Sequence, residues 1–432
     1  MDYERRNYRK RITEVKKLFI MTKARLVCVE CGSEYEATKL FRCPKDNGEL
    51  ALHYDYDSLK RNKRLKDLWF SPKTLWEKYF DVLPIEDSSK IVTLGEGNTP
   101  LLASERLAKA IGVKRLYFKL ECCNPTGSFK DRQMTVAVSK GNEWGDRDYA
   151  TVSSGNVGNA LSAYCAKKGF NANIWVSDGT AKTKYQQIQI YGSQLFLFPD
   201  PEKSGVAAYN LFFGSLQDYC LKRNIIPMIS ARPVNPYMIE GSKTISFEIH
   251  SQLGHVPPCV FSPIGGGGLY GGLWKGFKEM MYLGFTDTLP AQFGVQKPGY
   301  MASILTLDDP AFDSNKYATP LDGRWALQSL KEGSGSYVSV TSEEIFEAQK
   351  LLAVYEGIFA EPQGATSVAG LIQMAKAGKL DSYEEIVCII TGAGLKDMKT
   401  GESMIQDIRF YRPVEHVSTF AECDDKLKRS IK

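Results

Sequence analysis

The sequence predicts an α/β protein of two lobes, each a parallel-type sheet covered by helices, on the strength of three observations. Short apolar runs alternate with amphipathic stretches from about residue 116 to residue 390, the rhythm of strand–helix–strand units. Turns rich in Gly, Ser or Asn stand repeatedly where a strand gives way to a helix. The 432 residues also exceed the size at which a single core stops growing, so two lobes sharing a cleft are expected.

The elements follow in chain order. Residues 116–120 read as a strand, 131–140 as a helix, 149–153 as a strand, 158–168 as a helix and 172–176 as a strand. A helix over 184–191, an extended piece over 195–198 and a helix over 203–218 continue the alternation. The second half repeats it, with helices over 238–253, 268–282, 342–356 and 364–377 and strands over 260–263, 290–295 and 386–390. In such sheets ligands bind beyond the carboxyl ends of the strands.

Six segments result. Residues 1–25 form a basic extension, 26–55 a small cysteine knuckle with extended pieces over 26–29 and 50–54, and 56–129 a charged connector with part of the larger domain. Residues 130–228 form the smaller α/β domain, 229–408 the larger, and 409–432 a C-terminal arm.

A hydrophobic share of 43% with 24% charged residues argues against extensive disorder. The net charge of +5 is small, and part of it sits in Arg5, Arg6, Arg9, Lys10, Arg11, Lys16 and Lys17, read as a solvated terminus that can precede a start at Met21. That leaves no basic face for nucleic acid. No apolar run approaches the ~18 residues needed to cross a bilayer, so a cytoplasmic enzyme is expected. Adjacent Cys122 and Cys123 fit a reduced interior better than a disulfide framework.

Four junctions have chemical potential. Lys130 closes 124-NPTGSFK-130 at a helix start, where desolvation lowers an amine's pKa and favours a Schiff base; a surface lysine is the alternative. Ser153, Ser154, Gly155 and Asn156 offer donors around a close backbone approach, or simply a helix cap. Gly265, Gly266, Gly267 and Gly268 precede a helix and can fold their N–H groups around one phosphate. They lack the spacing of nucleotide-binding loops. Thr391 opens a Gly-rich turn after an apolar strand and can present its hydroxyl to a pyridine nitrogen, or simply belong to a turn. None of His53, His250, His255 and His416 lies in these loops, which disfavours a histidine-based nucleophile.

Taken together, 125-PTGSFKDR-132, 235-NPY-237 with 240-EGSKT-244, 356-EGIFAEP-362 and 391-TGAGLKD-397 resemble the fold-type II pyridoxal-phosphate enzymes, in particular the threonine synthases, over residues 25–400. The resemblance implies that Lys130 carries pyridoxal 5'-phosphate and serves as general base and acid. It implies that Asn156 meets the cofactor's ring oxygen, Gly265 to Gly268 its phosphate and Thr391 its ring nitrogen. A neutral hydroxyl there suits elimination or replacement, and the protein directs which bond breaks. Ser153 and Ser154 would bind a small amino-acid substrate, Glu361 would assist nearby, and Lys182 and Lys184 are candidates for substrate anions, with a solvated surface role the alternative for at least one. A homo-oligomer, a dimer by preference, is expected.

Three departures bear on the substrate. Pro233 stands where threonine synthases usually have serine, and Met238 where they have arginine, at positions associated with the substrate's phosphate. The tetraglycine loop resembles that of threonine or serine dehydratases. Arg232 could supply a displaced guanidinium. Threonine synthase-like chemistry, dehydration of serine or threonine, and β-replacement on an activated serine therefore stay open, beside a non-catalytic module that merely binds the cofactor. Cys28, Cys31 and Cys43 resemble a zinc knuckle whose fourth ligand is Asp46. A degenerate, metal-free knuckle is the alternative, and either is expected to play a structural role far from catalysis.

Overall fold

A computed structural model describes residues 24–153, 155–180, 182–199, 215–305 and 320–406. The basic extension up to residue 23, Ser154, most of the helix expected over 203–218 and the expected C-terminal arm lie outside the described residues.

The chain opens with an antiparallel sheet in which β1 (Ala24–Cys28) lies between β2 (Glu34–Glu36) and β3 (Leu50–Tyr54). Alternation turns Ala24, Leu26 and Cys28 inward, where they pack with Leu50, Leu52 and Tyr237. The connector departs from expectation. It folds as three short helices, Tyr56–Lys60, Lys63–Trp69 and Leu75–Tyr79, capped by Asp55, Asn62 and a Thr74/Glu77 capping box. Leu65, Trp69 and Tyr79 are fully buried among its charges, and Trp69 stacks on Phe285 at 3.9 Å.

Strands β4 (Leu101–Ala103) and β5 (Leu116–Leu120) begin a six-stranded sheet, which the chain then leaves. It builds a four-stranded parallel sheet from β6 (Asp148–Val152), β7 (Asn171–Ser177), β8 (Gln194–Phe198) and β9 (Ile226–Pro227), in the order β8-β7-β6-β9. It returns with β10 (Cys259–Pro263), β11 (Ala291–Gln296), β12 (Tyr337–Ser339) and β13 (Ile386–Ile390), giving the order β12-β11-β10-β13-β5-β4. All pairs in the larger sheet are parallel except β4 with β5. These are the two parallel-sheet lobes the sequence predicts.

Parallel strands covered on both faces read as unbroken apolar runs, and β13 (IVCII) is buried throughout. Ile386, Cys388 and Ile390 face one core, with Phe261, Leu352 and Leu371. Val387 and Ile389 face another, with Phe247, Leu273 and Phe277. In the smaller lobe Tyr149, Leu161, Tyr164 and Ile174 form a third.

Helix Pro236–Leu253 joins the lobes. Asn235 caps it by accepting from the N–H groups of Tyr237 and Met238 at 3.2 Å. Its Gly241 lies so close to the helix Lys130–Trp144 that a Cβ would fall 1.9 Å from the Arg132 carbonyl oxygen. That contact fixes the start of the lysine helix against the larger lobe.

Candidate active site

The functional loops leave the carboxyl ends of β5, β6, β9, β10 and β13, so both sheets point their ends at one cleft. Between β5 and the lysine helix, Gly127 adopts φ +81°, a left-handed conformation that favours glycine. The N–H and Oγ1 of Thr126 each donate to Asp131 Oδ2 at 3.0 Å, closing the turn. Burial pushes the Asp131 carboxyl up to about 7, against those bonds.

Lys130 is half-buried above the Phe129 ring. Its Nζ donates to Ser230 Oγ at 2.5 Å and to Gln133 Oε1 at 3.4 Å. Desolvation lowers the amine to about 8, while Asp322 and Glu361 act in the opposite direction. Next to it the Arg132 side chain is wholly buried, donating to Glu121 and Glu248 at 2.6 to 2.8 Å. Lys119 adds a second cation on Glu248 at 2.8 Å. This network locks the first turn from which Lys130 projects.

The β13 loop is zipped to the lysine loop. Phe129 N–H donates to the Thr391 carbonyl at 3.1 Å, and Ala393 N–H to that of Gly127 at 2.9 Å. Thr391 is 3% exposed, and its Oγ1 has no hydrogen-bond partner. A buried hydroxyl without a partner costs stability unless a ligand satisfies it. A pyridine nitrogen placed against it would satisfy it, so the residue fits that part of pyridoxal phosphate.

At the end of β10, a Cβ added to Gly265 or Gly266 would meet nothing within 4 Å, so the loop borders open space just before helix Gly268–Tyr282. Gly267 has φ +106°, and Gly267 and Gly268 are pressed against Asp322. The Asp322 N–H donates to the Gly266 carbonyl at 2.8 Å, and its carboxyl is buried and pushed up to about 7. The cradle fits one phosphate.

In the β6 loop, Ser153 Oγ accepts from Gly155 N–H at 3.2 Å. Asn156 Nδ2 donates to Glu361 at 2.7 Å, and its Oδ1 accepts from Lys396 Nζ at 2.8 Å. These three side chains, with Gly155 and Asn159, line a cavity of about 370 Å³. Lys182 is exposed on its own helix. Sequence reasoning missed Ser230, Gln133, Asp322 and Lys396. Lys396 stood within a quoted motif, whereas Ser230 and Asp322 have no local signature.

Cys28, Cys31, Cys43 and Asp46 present ligand atoms within 4.8 Å of one another. Cys31 and Cys43 sulfurs are 3.8 Å apart, about the separation set by ~2.3 Å bonds to a tetrahedral zinc. In the same hairpin Glu49 forms an ion pair with Arg232, two residues after Ser230. Arg232 also stacks on Trp325 at 4.2 Å.

Two lobes whose strand ends converge on this cleft define the class of fold-type II pyridoxal-phosphate enzymes. The chain belongs to the pyridoxal-phosphate dependent enzyme family, whose match spans residues 92–392. It is 36% identical over 384 residues to a threonine synthase of Methanocaldococcus jannaschii, covering 86% of this chain and 92% of that protein. It is 38% identical over 390 residues to a threonine synthase of Methanosarcina acetivorans, covering 87% and 93%. Among solved structures, threonine deaminase isoform 2 of Solanum lycopersicum superposes with a TM-score of 0.59 at 23% identity, covering 82% of this chain and 88% of that one, and shows the fold alone. The protein is thus a pyridoxal-phosphate lyase of the threonine-synthase-like class, with elimination or replacement chemistry on small amino acids. Among the described residues no helix is long and apolar enough to cross a membrane.

Proposed function

We propose that this enzyme removes the α-proton of a serine- or threonine-derived amino acid and eliminates or replaces its side-chain leaving group, in preference to acting on O-phosphohomoserine. The observation behind this choice is the Glu49–Arg232 ion pair. It neutralises the guanidinium that would otherwise compensate for Pro233 and Met238, and Met238 is itself fully buried among apolar side chains. Losing one charge-assisted bond to a leaving phosphate costs roughly 1.5 to 3 kcal/mol, or one to two orders of magnitude in discrimination.

In this reading Lys130 bears the cofactor, Gly265 to Gly268 hold its phosphate, Thr391 faces its ring nitrogen and Asn156 its ring oxygen. When bound, the cofactor supplies the electron sink for the carbanion. The Lys130 amine, with its lowered pKa, takes the α-proton and returns it. Ser153 binds the substrate from the β6 loop, and Glu361 and Lys396 flank it through Asn156. The cysteine–aspartate cluster holds a structural zinc.

A threonine synthase reading is favoured by the 36% and 38% identities to enzymes of that name. Parallel turnover of O-phosphohomoserine, threonine, serine and O-phosphoserine, each with and without a sulfur nucleophile, separates the two. Phosphate, oxo-acid and new amino acid are the products to measure. Efficient threonine and phosphate production from O-phosphohomoserine alone overturns the serine- or threonine-derived reading.

A further inference from the structure

We propose that the N-terminal cysteine module sets the affinity for pyridoxal phosphate, with Glu49 and Arg232 positioning the glycine loop according to whether a soft divalent cation occupies Cys28, Cys31, Cys43 and Asp46. The proposal rests on the cofactor reading of that loop, and is independent of which amino acid is turned over.

The first link is a single turn. Residues 43–49 bear two of the ligands, Cys43 and Asp46, and end on Glu49. Asp46 Oδ1 accepts from Gly48 N–H at 2.9 Å, and the Gly48 carbonyl accepts from Cys43 N–H at 3.0 Å. Glu49 N–H donates to Glu30 at 2.7 Å, and its carbonyl accepts from Val29 N–H at 2.9 Å. Glu30 and Val29 lie between Cys28 and Cys31 in the chain. Both segments that would close on a cation are therefore bonded directly to Glu49.

The second link crosses to the larger lobe. Glu49 and Arg232 are 8% and 9% exposed, so their ion pair is buried and neither charge is readily released to water. Arg232 N–H donates to Asp322 Oδ1 at 2.8 Å, and its guanidinium stacks on Trp325. A Cβ on Gly268 would lie 2.5 Å from Asp322 Oδ2, and one on Gly271 would lie 2.4 Å from the Trp325 ring. Asp322 and Trp325 thus form the wall behind the glycine loop and the first turn of its helix. Moving Arg232 moves that wall.

The test uses the full chain freed of cofactor, either loaded with zinc or stripped by a chelator. Pyridoxal phosphate is titrated by visible absorbance and tryptophan fluorescence, with pyridoxal, which lacks the phosphate, as a parallel probe. Stripping zinc is expected to weaken pyridoxal phosphate binding about tenfold, within the usual range of coupling between sites, and to leave pyridoxal binding unchanged. In Glu49→Gln the affinity is expected to stay weak with or without zinc, and Glu49→Asp should restore part of the difference. Because Glu49→Gln leaves Arg232 buried without its charge partner, the double variant Glu49→Gln/Arg232→Met provides a folded, uncoupled control. A chain that takes up no zinc, a zinc-independent affinity in the wild type, or the same zinc effect in the double variant overturns the proposal. Failure to bind pyridoxal phosphate under any condition would instead overturn the cofactor reading.

Discussion

Lys130 Nζ lies 2.5 Å from Ser230 Oγ, across the cleft between the lysine helix and the segment that follows β9. The acidic groups Asp322 and Glu361 favour the charged form of the amine, against the burial that lowers its pKa. Lys130→Ala should abolish covalent cofactor attachment while leaving the fold intact, because the half-buried side chain is not part of a core cluster. Borohydride reduction followed by peptide mass analysis checks it. An adduct on another lysine contradicts the assignment.

The lowered amine pKa gives the capture step a pH dependence. Free lysine keeps its proton to about 10.5, whereas burial brings Lys130 to about 8. Only the unprotonated amine attacks an aldehyde, so the rate of covalent capture should rise with pH and reach half its plateau near pH 8. Stopped-flow absorbance of cofactor-free protein mixed with pyridoxal phosphate measures this profile. A midpoint near that of ordinary lysine would show the site to be open to water.

Thr391 tests the ring contact. Thr391→Val keeps the shape of the side chain and removes only the Oγ1 that lacks a partner. A hydrogen bond is worth about 1 kcal/mol net, so cofactor affinity should fall about fivefold. The cofactor-free protein should be as stable as wild type or more so, since a buried unsatisfied group is gone. Equilibrium dialysis and thermal melts read the two effects separately.

Much of this architecture was legible because it is local. The segments Leu116–Leu120, Gly268–Tyr282, Ser342–Glu356 and Ile386–Ile390 have the bounds their apolar patterns predict, and the Gly and Lys loops lie at the strand ends as expected. What escaped was either short or distant. Three residues of β4 or β12 are too few to show a period. The helices at 56–79 hide Leu65 and Trp69 among lysines, so charge density masked them. Ser230 reaches Lys130, and Glu49 reaches Arg232, across 100 and 183 residues of sequence; no local pattern encodes such pairs.

The metal site makes a compositional prediction. Purified protein should contain about one zinc per chain, and Cys31→Ser should lose it, because thiolate ligands supply most of the binding energy. Elemental analysis decides the matter. Folded, active protein without metal would identify the cluster as a relic.

The last prediction concerns the charged network beneath the lysine. Arg132 is buried completely, and its guanidinium compensates both Glu121 and Glu248. Burial alone would disfavour its charge, but the two carboxylates outweigh that and raise its pKa further, and Glu248 is correspondingly held well below the usual carboxylate range. Arg132→Met removes the shared cation while leaving Lys119 on Glu248 only, so Glu121 becomes an uncompensated buried anion. Such a loss costs about 3 to 5 kcal/mol, and denaturant unfolding should show it as a lowered midpoint with an unchanged slope. Adding Glu121→Gln should recover part of the loss, because the residual carboxylate keeps its lysine 2.8 Å away. If the double variant were no more stable than the single one, the cost would come from packing around the guanidinium rather than from the stranded charge.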